Sequence, residues 1–151
     1  MAKARVQPPF DWRAWLTSLG DEVEFHDPAN AGAIKDAEAR LGTAFPDDLR
    51  ALLLVTNGVT ASLGEWLVWP AEQIAEQNVH YRSFADFREL YMPFDHLLFV
   101  GERGDGDVVG LPIKAGAVGT EFFRWDHETD GRIWCASGLK DYFKRAVSDQ
   151  L

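Results

Sequence analysis

Ala37-Glu38-Ala39-Arg40-Leu41-Gly42-Thr43-Ala44-Phe45-Pro46-Asp47-Asp48-Leu49, continuing through Leu54 to Asn57-Gly58, is the stretch on which the fold turns. It reads as one helix stopped by a glycine, then a second that starts at a proline and stops at Asn-Gly. Gly42 can take the left-handed backbone of a helix C-terminus, and Asn57-Gly58 suits the same role one helix later. Pro46 fits a first helical turn, where its missing N–H costs nothing. Asp47 and Asp48 then sit near the positive end of the helix dipole. Leu49, Leu52 and Leu53 form a stripe, while Ala51, Leu54 and Val55 fill the other sides. A helix apolar nearly all round is expected to be the central, most buried one. Nothing in the stretch is catalytic. It is a packing signature, and it points to a domain that works by presenting a surface.

Upstream, Pro8-Pro9 breaks structure and Asp11 can cap a helix whose Trp12, Trp15, Leu16 and Leu19 share one face, with Gly20 placed to end it. An acidic connector from Asp21 to Pro28 follows, extended at Val23-Glu24-Phe25. Asn30 caps the next helix, whose stripe is Ile34, Ala37 and Leu41. Downstream, Trp66-Leu67-Val68-Trp69 is a short strand, and Pro70 opens a helix that carries Ile74 and reaches about Tyr81. Ser83 with Asp86 resembles a capping box, ahead of Phe84, Phe87, Leu90 and Tyr91 at helical spacing and a stop at Pro93. The texture then changes. Leu97–Val100, Val108–Leu111, Glu121–Trp125 and Arg132–Cys135 are short β-forming runs separated by Gly and Asp clusters, as in antiparallel hairpins. A last helix runs from Ser137, with Leu139, Tyr142, Phe143 and Val147 on one face. Helices, then hairpin-linked strands, then a helix make an α+β pattern, a mostly antiparallel sheet packed with helices.

The 151 residues suit one domain with a substantial core, fed by six tryptophans and ten phenylalanines. A single cysteine, Cys135, forms no internal disulfide and fits a reducing compartment. No signal-peptide run follows the N-terminus, and the longest apolar run, Ala51 to Val55, is too short to span a bilayer. The expected location is the cytoplasm, with no membrane partner. Acidic residues number 24 against 15 Lys and Arg, for a formal net charge of −9. Such a field repels nucleic-acid phosphate and attracts a basic protein partner. It also serves plain solubility.

Candidate chemistry is sparse. Gly104, Gly106 and Gly110 imitate a dinucleotide fingerprint, but strand-like residues follow them instead of a helix, so a hairpin loop is the better reading. Asp105 and Asp107 imitate the start of a calcium loop, yet Val109 and Gly116 stand where ligands belong, and no metal is expected there. Asp126-His127-Glu128-Thr129-Asp130-Gly131 has acid–base residue types, but its spacing matches no zinc-protease pattern, and Thr129-Asp130-Gly131 reads as a turn between strands. Cys135, in a strand, is expected to be buried and inert. His26, His80, His96 and His127 are scattered. No cofactor and no catalytic residue is implied. Trp12, Trp15 and Trp125 are expected in the core. Trp66 and Trp69 flank a strand beside Glu65, and aromatics ringed by acids make binding anchors, though core packing explains both more cheaply.

These residues resemble the SUKH superfamily, the group containing the Smi/Knr cell-wall regulator domain. The matching pieces are Ile34-x-x-Ala37-Glu38-x-x-Leu41-Gly42, Phe45-Pro46-Asp47-Asp48-Leu49-Arg50-x-Leu52-Leu53 and Asn57-Gly58. After them come the Pro70 helix with Ile74 and Asn78, the Gly104-Asp105-Gly106-Asp107 loop, Trp125-Asp126-His127-Glu128 and Ala136-Ser137. The resemblance covers the chain from about Asn30 onward, in the expected order. It implies a helix-packed, mostly antiparallel sheet and no catalytic residues to transfer. Bacterial members look like immunity proteins that neutralise a cognate toxin, often a nuclease, and fungal relatives act as interaction hubs.

The expectation is therefore a single SUKH-like domain over 1–151, with 1–29 an N-terminal helical extension and connector. Its expected role is a non-enzymatic immunity protein that meets a basic toxin domain, such as a nuclease, by occlusion and charge complementarity, with no direct nucleic-acid binding. Glu65, Trp66, Asp105 and Asp107 are the expected partner contacts. Glu38, Gly42, Pro46, Asn57, Gly58, Gly104, Gly106 and Trp125 are expected to hold the family framework. The alternatives are a regulatory or scaffolding protein without a toxin partner, and a hydrolase in which Asp126, His127 and Glu128 converge in one cleft.

Overall fold

A computed structural model describes residues 10–20 and 22–151. The Pro8-Pro9 break and Asp21, where the connector starts, lie outside the described residues. In chain order the elements are α1 (Trp12–Thr17), β1 (Val23–Phe25), α2 (Ala31–Leu41), α3 (Asp47–Val55), β2 (Val59–Ala61), β3 (Trp66–Val68), α4 (Ala71–Ser83), α5 (Ala85–Leu90), β4 (Leu97–Glu102), β5 (Val108–Lys114), β6 (Ala117–Val118), β7 (Phe122–Asp126), β8 (Gly131–Ala136) and α6 (Leu139–Val147). The strands form two antiparallel sheets, one ordered β1-β2-β3 and one ordered β4-β5-β7-β8, with β6 paired to β5. This is the α+β architecture expected, with the sheet divided in two.

The quoted stretch folds as its chemistry dictates. The Asn30 side chain accepts from the Ala33 amide at 2.7 Å and caps α2. At the far end Gly42 adopts φ +67, and the Thr43 amide donates to the Glu38 carbonyl at 3.2 Å, closing the helix as glycine permits. The Glu38 carboxylate then reaches forward. It accepts from the Phe45 amide at 2.6 Å and from Arg50 Nη2 at 2.9 Å, tying the loop between α2 and α3 to both helices. Pro46 sits immediately before α3, one position earlier than a first-turn proline.

Three expectations are corrected. α3 is amphipathic: Leu49, Leu52 and Leu53 are buried, but Ala51 and Leu54 are exposed. A nine-residue helix at the side of the core has an outer face whatever its composition, and single exposed apolar residues are ordinary. Asn57-Gly58 does not cap α3, which ends at Val55 with Thr56 already extended. Instead the Asn57 side chain accepts from the Ala71 amide at 2.8 Å and donates to Glu72 Oε2 at 3.0 Å, capping α4, whose preceding residue Pro70 offers no side-chain acceptor. Ser83 and Asp86 form no capping box: Ser83 is the last residue of α4 and its hydroxyl donates back to the Val79 carbonyl at 2.6 Å. β2 and β6, too short to show a period, are additions to the expected strands.

The two sheets join at β4. The ladder between β4 and β5 slips between Phe99 and Gly101, and the Val100 carbonyl accepts from the Trp69 amide at 2.7 Å. Gly101 lets β3 lie close, since a Cβ there would fall 2.0 Å from the Leu67 carbonyl oxygen. The outer edge of β4 is closed by a side chain. Asn78 of α4, buried, donates to the Phe99 carbonyl at 2.7 Å and accepts from the Phe99 amide at 2.8 Å, as a neighbouring strand would. One apolar core runs from Trp12 to Phe143. Tyr81, Phe94, Phe99 and Trp125 pack at centroid distances of 5.0 to 6.3 Å. Phe122 stacks on Tyr142 at 4.3 Å, and the buried Tyr142 hydroxyl donates to the Leu67 carbonyl at 2.6 Å, as a phenol in a core must find a partner.

Candidate protein-interaction face

The turn between β2 and β3, the loop between β4 and β5, the turn between β7 and β8 and the end of α6 meet on one face. Gly104 lies against Glu65, whose Oε2 would be 2.9 Å from an added Cβ. Gly106, at φ +99, lies against the His127 ring. Arg103 Nη2 approaches Asp149 Oδ1 at 3.4 Å. Glu22, Leu63, Glu65, Ala146, Val147 and Asp149 line a groove of about 280 Å³ on this face. Asp105, Glu128 and Asp126 extend its negative charge along the neighbouring loop and turn.

The expected contact residues divide here. Asp105 is exposed and Glu65 and Trp66 are half-buried. The Asp105 carboxylate also accepts from the Asp107 amide at 3.0 Å, which shapes the loop. The Trp66 ring lies tilted against His26 at a centroid distance of 4.6 Å. It also covers Gly58, where a Cβ would be 2.6 Å from the ring and φ is +99. Asp107 is only 4% exposed. Its carboxylate accepts from the His127 amide at 3.1 Å and meets His127 Nδ1 at 2.6 Å, with Arg124 at 3.5 Å. Its charge is answered inside the protein.

Leu63 is the residue that sequence reading missed. It is 94% exposed, at the tip of a turn whose other members, Ser62 and Gly64, are small. A leucine in such a turn was the available signal.

The hydrolase arrangement does not assemble as expected. Asp126 Oδ1 accepts from the Glu128 amide at 2.9 Å, Glu128 is exposed, and His127 pairs with Asp107, twenty residues away, instead of with its sequence neighbours. The hydrogen bond to Asp107 raises the His127 pKa above its ordinary value, against a smaller opposing effect of desolvation. One ligand atom each from Asp107, Asp126 and His127 lies within 4.8 Å of the others. A cation there would compete with a histidine already held to Asp107 and with Arg124.

Asp130, expected as mere turn chemistry, is a hub. It takes φ +60, accepts from Trp125 Nε1 at 2.7 Å and the Met92 amide at 2.9 Å, and meets Arg132 at 3.1 Å. Burial alone would raise its pKa, but these donors together hold it below the usual carboxylate value. Trp125, 3% exposed, is thereby held at its indole N–H. Cys135 is buried, and burial pushes its thiol up to about 11, the inert condition expected.

No helix among the described residues is long and apolar enough to cross a membrane. No curated protein matches the chain. The family description "SMI1 / KNR4 family (SUKH-1)" matches residues 28–145, from just before α2 into α6. The features that fill this span, the Glu38–Arg50 tie, the Gly42 stop, the Asn57 cap and the sheet from β4 to β8, are the framework on which the acidic face is mounted. On that match the chain belongs to the SMI1 / KNR4 family (SUKH-1).

Proposed function

We propose that this protein is a non-enzymatic binding module of the cytoplasm, and that it acts as an immunity protein, neutralising a basic toxin domain such as a nuclease by covering it. The observation that carries the reading is the acidic groove of Glu22, Glu65 and Asp149 with Leu63 standing nearly fully exposed at its rim. An exposed apolar side chain beside a predominantly acidic groove, in which Arg103 answers Asp149 while Glu22 and Glu65 make no ion pair among the described residues, is the arrangement of a binding anchor with a steering field. The net charge of −9 acts in the same direction over longer range. Glu65, Asp105 and Trp66 are the proposed contacts, joined by Leu63. Asp107 supports the loop from within. Membership of the family is consistent with this role and equally with a regulatory interaction partner.

The test pairs the protein with a toxin encoded beside its gene. Co-expression is expected to protect the cell, and the purified proteins are expected to associate with a rate that falls as salt is added. Absence of both binding and protection would remove the immunity reading. Binding of a non-toxic protein through the same face would leave the regulatory role in its place.

A further inference from the structure

A cleft of about 270 Å³ opens between α4, α5 and the loop into β4, lined by Tyr81, Arg82, Phe87, Arg88, Phe94 and Asp95 together with the loop residues before Phe94. It shares no lining residue with the acidic groove. We propose that it is a receptor for a carboxylate carried on an apolar peptide segment of a partner protein.

Three arginines, Arg82, Arg103 and Arg132, have a buried Nε without a hydrogen-bond acceptor. Arg103 and Arg132 each have a carboxylate partner, Asp149 at 3.4 Å and Asp130 at 3.1 Å. Arg82 has none among the described residues: its one bond is from Nη2 to the Leu97 carbonyl at 3.1 Å, and the ion pairs of the chain lie elsewhere. Asp95 acts on it only from beyond pairing distance. The Nε is closed off, so the donor Arg82 can offer a ligand in the cleft is Nη1, which is not among the buried atoms and makes no hydrogen bond among the described residues; a charge-assisted bond to a carboxylate would satisfy it. Arg88, exposed on α5 and equally without an ion-pair partner among the described residues, adds a second positive charge at the same cleft.

The surroundings select the body of the ligand. Phe87, Phe94 and Tyr81 wall the cleft with aromatic surface, Met92 in the lining is 59% exposed, and Phe84, packed on Phe87 at 5.0 Å, is 41% exposed. α5 contains no fully buried residue: Phe87 is half-buried against Tyr81, and Leu90 is 70% exposed. An inorganic anion would leave this surface uncovered, whereas a peptide with an acid between apolar residues would cover it. Charge complementarity favours an acidic segment: Arg82 and Arg88, without ion-pair partners among the described residues, outnumber the one carboxylate of the lining, Asp95, on a chain of net charge −9 that repels such a segment elsewhere.

The test uses nitrogen-15-labelled full-length protein and three probes: the acetylated, amidated peptide Leu-Asp-Phe-Leu, its Asn counterpart, and sodium acetate. The Asp peptide is expected to shift amide resonances from Tyr81 to Asp95, and to bind about tenfold tighter than the Asn peptide, as a charged hydrogen bond implies. Arg88→Gln, at an exposed position that should leave the fold intact, is expected to weaken the Asp peptide by about tenfold as well. Phe84→Ser is expected to weaken the peptide while leaving the acetate response unchanged. Equal binding of the two peptides, an unaffected Arg88→Gln variant, shifts outside this cleft, or acetate binding as tightly as the Asp peptide would each overturn the proposal.

Discussion

Gly101 and His127 show how single residues set the limits of this fold. Gly101 has ordinary backbone conformation, yet a methyl group there would collide with the Leu67 carbonyl oxygen, which lies 2.0 Å from the Cβ position. Gly101→Ala must therefore push β3 off β4, and is expected to cost about 3 kcal/mol of unfolding free energy in urea titrations. A loss under about 0.5 kcal/mol, the size of an ordinary surface substitution, would contradict the close approach. His127 binds its proton more tightly in the folded protein because Asp107 accepts from it. A raised pKa means that the stabilisation is complete below the ordinary value of 6.5 and is lost as pH rises from there through the raised value. The thermal midpoint of Asp107→Asn is expected to lose the part of its pH dependence that falls in that window. The His127 ring resonances in that variant should titrate nearer the ordinary value. An unchanged His127 titration would show that Asp107 does not hold the proton.

At the scale of the element, two asparagines from different parts of the chain do the work of secondary structure. Asn57, in the turn before β2, caps α4 by accepting from the Ala71 amide at 2.8 Å. Asn57→Ala leaves that amide without its acceptor and is expected to destabilise the protein by about 1 kcal/mol, with no change in the slope of the denaturant curve. Asn78 closes the edge of β4 by pairing with both backbone groups of Phe99. Asn78→Ala strands a buried N–H and a buried C=O, and is expected to cost about 3 kcal/mol. Hydrogen exchange gives the sharper check: the Phe99 amide should lose more protection than the amides of β7. Uniform loss across both strands would mean that Asn78 contributes only packing. Both asparagines were visible in the sequence, one as a supposed helix stop and one as a family residue. Their partners, fourteen and twenty-one residues away, were not.

At the scale of the molecule, the negative field and the exposed Leu63 are the features a partner meets first. The double charge reversal Glu65→Lys with Asp105→Lys is expected to slow association with a basic partner by about tenfold at low salt, with little effect on dissociation. Leu63→Ser is expected to act the other way, raising the dissociation rate while leaving the salt dependence intact. Leu63→Ser should not alter the unfolding free energy by more than about 0.5 kcal/mol, since Leu63 is exposed, whereas the double reversal also gives up the Asp105 bond to the Asp107 amide and is compared at matched folded fraction. Equal rates for the reversed and native proteins would place the contact on another face.

Local chemistry alone determined where most elements begin and end. Asn30, Gly42, Pro46 and Pro70 act through their own backbone and near neighbours, so their meaning survives in a linear string, and the ordered set of such signals was enough to recognise the family. Three things were decided only when the chain closed on itself. They are the division of the strands into two sheets at Val100 and Gly101, the pairing of His127 with Asp107 in place of Asp126 or Glu128, and the α4–α5 cleft that leaves Arg82 without an ion-pair partner among the described residues. Each depends on which distant groups arrive at one point in space. The sequence lists the charges and donors, but only the tertiary structure determines which of them meet and which are left for a partner to answer.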